Sequence, residues 1–232
     1  MLKKITLVGE IHHVKGNYRE FFKIIKKSWE TSKGPIEIIL EEGPSKALLM
    51  NSYLQNSDKK YLNNLDLSYE MEEFLNEVRK FSKLNGKNVP IIRGVDFDER
   101  AIHIIDAITT VIVKDSLICQ KLNQSDLVHE WKSFHLTLDN SKDDLLFREI
   151  NNFIQIWKKF AAELRNSPNT LTIDQIICNY LESTHFRNVN FNSCDDIESL
   201  KFREIFMVNN LSAIILNNSC DLFFGLFGST HI

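Results

Sequence analysis

The sequence predicts a three-layer α/β domain with a mainly parallel central sheet and a large helical insertion. Three observations predict it. Short apolar runs rich in β-branched and aromatic residues recur near residues 4–9, 36–40, 89–95 and 222–227, the pattern of strands buried on both faces. Amphipathic stretches at helical spacing separate the first three runs. The first three runs end in an acidic residue and all four meet glycine at that end, as Gly9-Glu10, Glu41-Glu42-Gly43, Gly94 to Asp96 and Gly228 show.

Taken in order, Lys4-Ile5-Thr6-Leu7-Val8-Gly9 reads as a buried parallel strand ending at Glu10. From Asn17 to Lys33, Phe21, Phe22, Ile24, Ile25 and Trp29 recur at helical spacing until Gly34-Pro35 stops the pattern. Ile36 to Leu40 is the second strand, and a crossover of this length predicts that the first two strands are parallel neighbours. Helices follow at about 45–55 and from Ser68 to Leu84, the latter with Phe74, Leu75, Val78 and Phe81 inward. Val89 to Val95 is a third strand, with Pro90 tolerable only near its start. Residues 99 to about 185 show no strand pattern but long amphipathic stretches, such as Ile150, Phe153, Ile154, Trp157 and Phe160. A helix from Asp196 to Leu216 leads to the last strand, Leu222 to Phe227, and Gly228-Ser229-Thr230-His231. The expected organisation is one domain over residues 1–232 with a helical insertion at about 99–195. A chain that stops one residue after His231 is expected to be a fragment of a longer one.

Lys and Arg total 28 against 31 Asp and Glu, a net charge of −3, so no general attraction draws the chain to nucleic-acid phosphates or anionic lipid. The N-terminal apolar run is too short for a signal peptide or a membrane span. A cytoplasmic protein is expected, or a secreted one if the chain is part of a larger effector. Cys119, Cys178, Cys194 and Cys220 are too widely spaced for a zinc knuckle or redox motif and read as reduced thiols, most of them buried.

In parallel sheets, ligands bind outside the carboxyl ends of the strands. The unusual polar residues fall there: Glu10, His12 and His13 after the first strand, Glu41 and Glu42 after the second, Asp96 and Asp98 after the third, and His231 after the last. On the 196–216 helix, Leu200, Arg203, Met207, Asn210 or Leu211, and Ile214 share one stripe. A buried guanidinium demands an anionic partner, and strand-end carboxylates are the nearest ones.

Together, Gly9-Glu10-Ile11-His12-His13, the strand ending in Glu41, Gly94-Val95-Asp96, Arg203 to Asn210 and Gly228-Ser229-Thr230-His231 resemble the erythromycin esterase/ChaN-like/Tiki superfamily, by motif and order from residue 5 to 231, with the middle helical region unmatched. The resemblance implies hydrolysis of an ester or peptide bond. Glu10, His12, His13, Glu41, Arg203 and His231 are then the catalytic candidates, and Glu42, Asp96 and Asn210 the substrate-binding ones. Either His12 or His13 fits a family spacing. Glu10 or Glu41 would act as general base, a histidine would protonate the leaving group or bind the oxyanion, and Arg203 would hold the carboxylate. The same residues, His12, Glu41 and His231 in particular, could hold zinc, manganese or iron with an activated water. A small-molecule ester or a peptide is the expected substrate. The alternatives are a haem- or iron-ligand-binding protein, as in the ChaN-like branch, and a non-catalytic domain of a bacterial toxin or effector. No Gly-x-Ser-x-Gly occurs, which argues against a serine nucleophile.

Overall fold

The computed structural model describes residues 3–11, 15–32, 34–98, 100–124, 143–161, 164, 168–190 and 197–228. The chain divides into two compact units, 1–96 with 192–232, and 97–191.

The first unit holds β1 (Lys4–Glu10), α1 (Asn17–Thr31), β2 (Ile36–Leu40), α2 (Pro44–Asn56), α3 (Tyr69–Leu84) and β3 (Ile91–Gly94). The sheet is four-stranded and all parallel, in the order β1-β4-β2-β3, with β4 (Leu222–Gly228) last in sequence. The steps from β1 to β2 and β2 to β3 run the same way across the sheet, so right-handed crossovers put their helices on one face. The return from β3 to β4 reverses direction and delivers the last helix to the other face. Accordingly that helix (Ile197–Asn217) buries Met207 against Ile39, Val95, Cys220, Phe223 and Phe227, with Leu211, Ile214 and Ile215 packed beside them. On the other face Ile36, Ile38, Leu40, Phe224 and Leu226 are buried, and α1 and α3 meet through aromatic pairs, Phe21 with Phe74 at 5.8 Å and Trp29 with Phe81 at 4.8 Å.

Two expectations are corrected here. The first two strands are parallel but not neighbours, because β4 inserts between them and pairs with both. The first strand is not buried on both faces: among the described residues it is an edge, and Ile5 and Leu7 are each 43% exposed. An apolar run has the same appearance in a central strand and an edge strand, and order across the sheet is set by contacts far apart in sequence. Pro90 does sit immediately before β3.

The second unit contains α4 (Ala101–Lys114), α5 (Ser116–Gln124), α6 (Asp143–Phe160) and α7 (Pro168–Asn190), with no strand among its described residues. The helix of the first unit that follows them, Ile197–Asn217, is α8. In the second unit Ile150, Phe153, Ile154 and Trp157 form the buried stripe of α6, and the Trp157 indole donates to Asp174 Oδ1 at 2.7 Å. The buried-thiol expectation is only partly met. Cys220 is buried, Cys119 is half-buried and Cys178 is exposed, all three free, while Cys194 lies outside the described residues.

Gly94 closes β3 against the turn that follows β2. A Cβ there would collide with the backbone carbonyls of Glu42 and Gly43, atoms that cannot rotate away. Gly94→Ala should therefore push β3 from β2 and cost about 1–3 kcal/mol, the range of overpacking in a well-filled site. Urea unfolding of the variant checks this. A midpoint equal to that of the parent would show that the turn yields freely.

Candidate functional site

Three of the expected site residues converge where β2 and β3 end beneath α8. Arg203 donates from Nε to Asp96 Oδ2 at 2.9 Å and Oδ1 at 3.1 Å, and from Nη2 to Glu41 Oε1 at 3.0 Å; Nη2 also reaches Asp96. The two carboxylate side chains are nearly buried, Asp96 at 5% and Glu41 at 12% exposure, whereas Arg203 retains 32%. Arg203 is thus only partly buried, and Leu200, expected on the same inner stripe, is 43% exposed. A planar guanidinium offers donors on two edges, which lets one side chain clamp two strand ends together.

The backbone fixes each acid before the arginine reaches it. The N–H of Val95 donates to Leu40 O at 3.3 Å and that of Asp96 to Glu42 O at 3.1 Å, extending the β2–β3 ladder past the strand ends. Asn210 donates from Nδ2 to Val95 O at 3.0 Å, tying α8 to the same turn. Glu41 Oε2 accepts the Gly228 N–H at 2.9 Å, so Glu41 spans from β2 to the end of β4. Glu42 is turned to α2, where Lys46 Nζ lies 2.8 Å from its Oε2.

Glu10 pairs with Gly228 in the β1–β4 register. One strand therefore separates it from Glu41, on the order of 10 Å between backbones. Tyr18, in the first turn of α1, faces this end of the sheet. Burial raises its phenol pKa well above the ordinary tyrosine value, and the negative charges of Glu10, Glu42, Glu41 and Glu70 add to the effect. Its ring packs 5.6 Å from Phe74. The start of α1 is fixed by Gly16, whose φ of +97° suits glycine. The Gly16 N–H donates to both oxygens of Glu70, each at 2.9 Å.

Tyr18, Glu70 and the Gly228 amide were not foreseen from the sequence. An aromatic residue ahead of an amphipathic stripe reads as core, and a backbone donor carries no side-chain signal. His12, His13 and His231 lie outside the described residues, and Asp98 belongs to the helical unit, where its N–H donates to Asn179 Oδ1 at 3.2 Å. Glu41 is the one expected metal ligand among the described residues. Its two oxygens accept from the Arg203 guanidinium and from the Gly228 amide. No group of three His, Cys, Asp or Glu among the described residues is placed to hold a metal.

The raised pKa of Tyr18 has a consequence at alkaline pH. Below about pH 10 the phenol is neutral in both folded and unfolded chains, and its contribution to stability is fully present. Above that pH only the unfolded chain ionises, so stability is lost as pH rises, by about 1.4 kcal/mol per unit from this residue. Tyr18→Phe should remove that part of the slope between about pH 10 and 11.5, read from urea midpoints. Parallel slopes for the two proteins would mean that Tyr18 titrates normally.

No family model matches the chain, and no curated protein is significantly similar to it. Solved structures do share its fold. Erythromycin esterase EreC in its open conformation superposes with a TM-score of 0.56 at 13% identity, over 97% of this chain and 60% of that one. A Bacillus cereus protein of structural-genomics origin gives 0.60 at 18% identity over 97% and 57%. A succinoglycan biosynthesis protein gives 0.57 at 15% over 97% and 56%. The chain spans between 56% and 60% of the length of these structures. The likeness, with the all-parallel sheet, shows that the chain shares its fold with erythromycin esterase EreC and these two structures.

Proposed function

We propose that the chain carries a hydrolytic site that cleaves an ester or amide bond at the carboxyl end of the sheet. The observation that supports this best is the placement of two acids at one end of the sheet, Glu10 in register with Gly228 and Glu41 accepting the Gly228 amide, with Tyr18 buried nearby and its phenol pushed up by burial and by those charges. A carboxylate that takes a proton from water, opposite a neutral donor for a developing oxyanion, is what acyl transfer to water needs.

In this reading Glu10 is the base and Tyr18 donates to the carbonyl oxygen. Arg203, Asp96 and Glu41 form the rigid wall that holds the ends of β2 and β4, and the Gly228 amide is part of that wall. A histidine of the 12–13 pair, or His231, protonates the leaving group. Glu42 and Asn210 border the site and hold its turns. The fold of an esterase supports the reaction class, while substrate identity is left to assay.

The test is turnover of p-nitrophenyl acetate, p-nitrophenyl butyrate and fluorescein-labelled casein by the folded chain, before and after treatment with EDTA. Hydrolysis in either substrate class that Glu10→Gln removes is expected. A folded protein inert toward all three, or one whose activity survives Glu10→Gln, would overturn the reading. Loss on chelation, restored by one of zinc, manganese or iron, would bring the metal-assisted scheme back.

A further inference from the structure

α1 and α3 lie parallel, Phe21 against Phe74 near their starts and Trp29 against Phe81 near their ends. The apolar stripe of α1, Phe21, Ile25 and Trp29, fixes which side of the helix faces inward. It does little to fix the helix along its own axis, because apolar contact is non-directional. Charged groups at the two ends do that. Gly16 caps α1 without a side chain of its own, and the carboxylate of Glu70, in the first turn of α3, accepts its N–H on both oxygens. At the other end Lys87 Nζ donates to Trp29 O at 2.7 Å, Ser32 O at 2.8 Å and Glu30 O at 3.1 Å, carbonyls at the close of α1. An anion at the start and a cation at the end both suit the helix dipole. Lys87 is itself fixed to α3: Gly86 takes a φ of +58°, and the Lys87 N–H returns to Ser82 O at 3.0 Å, the Schellman ending of a helix. The separation of Glu70 and Lys87 along α3 thus matches the 15 residues of α1 that they bracket.

We propose that Glu70 and Lys87 are positioning residues for Tyr18: together they hold α1 at one depth along the sheet, which sets where the phenol in its first turn stands. The inference rests on the hydrolytic reading, in which that phenol donates to the developing oxyanion. A donor serves only if it lies where the oxyanion forms, and a displacement on the order of 1 Å can cost about 10²-fold in rate. Neither Glu70 nor Lys87 touches the substrate in this scheme, and each acts through Tyr18. Lys87 is the sharper case. It sits at the far end of a helix about 22 Å long, so no direct part in the chemistry can account for an effect on turnover.

The test is a double-mutant cycle on kcat and KM for p-nitrophenyl butyrate. Tyr18→Phe should lower kcat about 10²-fold, the effect of removing an oxyanion donor. Glu70→Ala and Lys87→Met should each lower it about tenfold or more with KM near the parent's, since the donor is displaced and acts in the transition state. Glu70→Gln keeps an acceptor oxygen for the Gly16 N–H and should restore most of the loss. In the Tyr18→Phe background, Glu70→Ala and Lys87→Met should cost little more, because the group they position is gone. General damage to the fold would lower the rate there as well. Two readouts need no turnover: the Gly16 amide should exchange with solvent faster in Glu70→Ala, and nuclear Overhauser contacts between the Tyr18 and Phe74 rings should weaken in both variants. If the parent hydrolyses nothing, the hydrolytic reading falls by itself, and these two readouts still decide whether Glu70 and Lys87 set the place of Tyr18. Full activity in Tyr18→Phe, Glu70→Ala or Lys87→Met, losses that simply add in the Tyr18→Phe background, or ring contacts indifferent to both variants would each overturn the proposal.

Discussion

Arg203→Met should lower stability by about 3 kcal/mol, or roughly 6–12 °C in melting temperature for a chain of this size, and abolish turnover at neutral pH. The methionine keeps the volume and the helix propensity of α8, so the loss isolates the charge. Asp96 would lose its bonds from Nε and Nη2 while its side chain remained 5% exposed, and Glu41 would lose its bond from Nη2 while keeping the Gly228 amide. Two nearly buried carboxylates would then face each other without the cation that joins them. The figure sits at the low end of the range for broken buried pairs, because Arg203 is 32% exposed and water softens the loss. Arg203→Met combined with Asp96→Asn should recover much of the stability and none of the activity, since the orphan charge goes while the strand ends stay unclamped. Equal stability of Arg203→Met and the parent would show that the clamp holds nothing.

That clamp was largely legible in the sequence, and the reason is physical. A cation at a half-inward position of an amphipathic helix requires an anion, and the only acids in reach of a helix crossing a parallel sheet are those at strand ends. What the sequence could not give was the sharing: one arginine serves both Glu41 and Asp96, a matter of register between β2, β3 and α8. Elements bounded by strong stops, such as β2 between Pro35 and Gly43 and α1 before Gly34, were equally legible. The position of β4 between β1 and β2 was not, because an apolar run marks a strand and is silent about its neighbours. The same silence hid the edge position of β1. Tyr18 escaped notice because its significance arises from burial and, added to it, four carboxylates on β1, α3 and the turn after β2, brought together only by the fold.

Glu10→Gln should behave in the opposite way, with turnover reduced about 10²- to 10⁴-fold and the melting temperature close to the parent's. Glu10 ends an edge strand and is half-buried, and its backbone pairing with Gly228 does not depend on the side chain. Glutamine keeps the shape and one acceptor oxygen but cannot take a proton from water. His231→Ala should give the same pattern if it supplies the leaving-group proton. Glu41→Gln provides the contrast, since one of its oxygens holds Arg203 and the other the Gly228 amide. An amide presents one acceptor in place of two, so Glu41→Gln should lose both activity and about 1–3 kcal/mol of stability, the cost of a buried donor left unpaired. Thermal melts and initial rates on the three proteins separate the roles. If Glu10→Gln unfolds as readily as Glu41→Gln, Glu10 is a structural acid and the base must be sought elsewhere along the sheet end. If Glu10→Gln keeps full activity, Glu10 is not the base and the hydrolytic reading falls, whatever Glu41→Gln does.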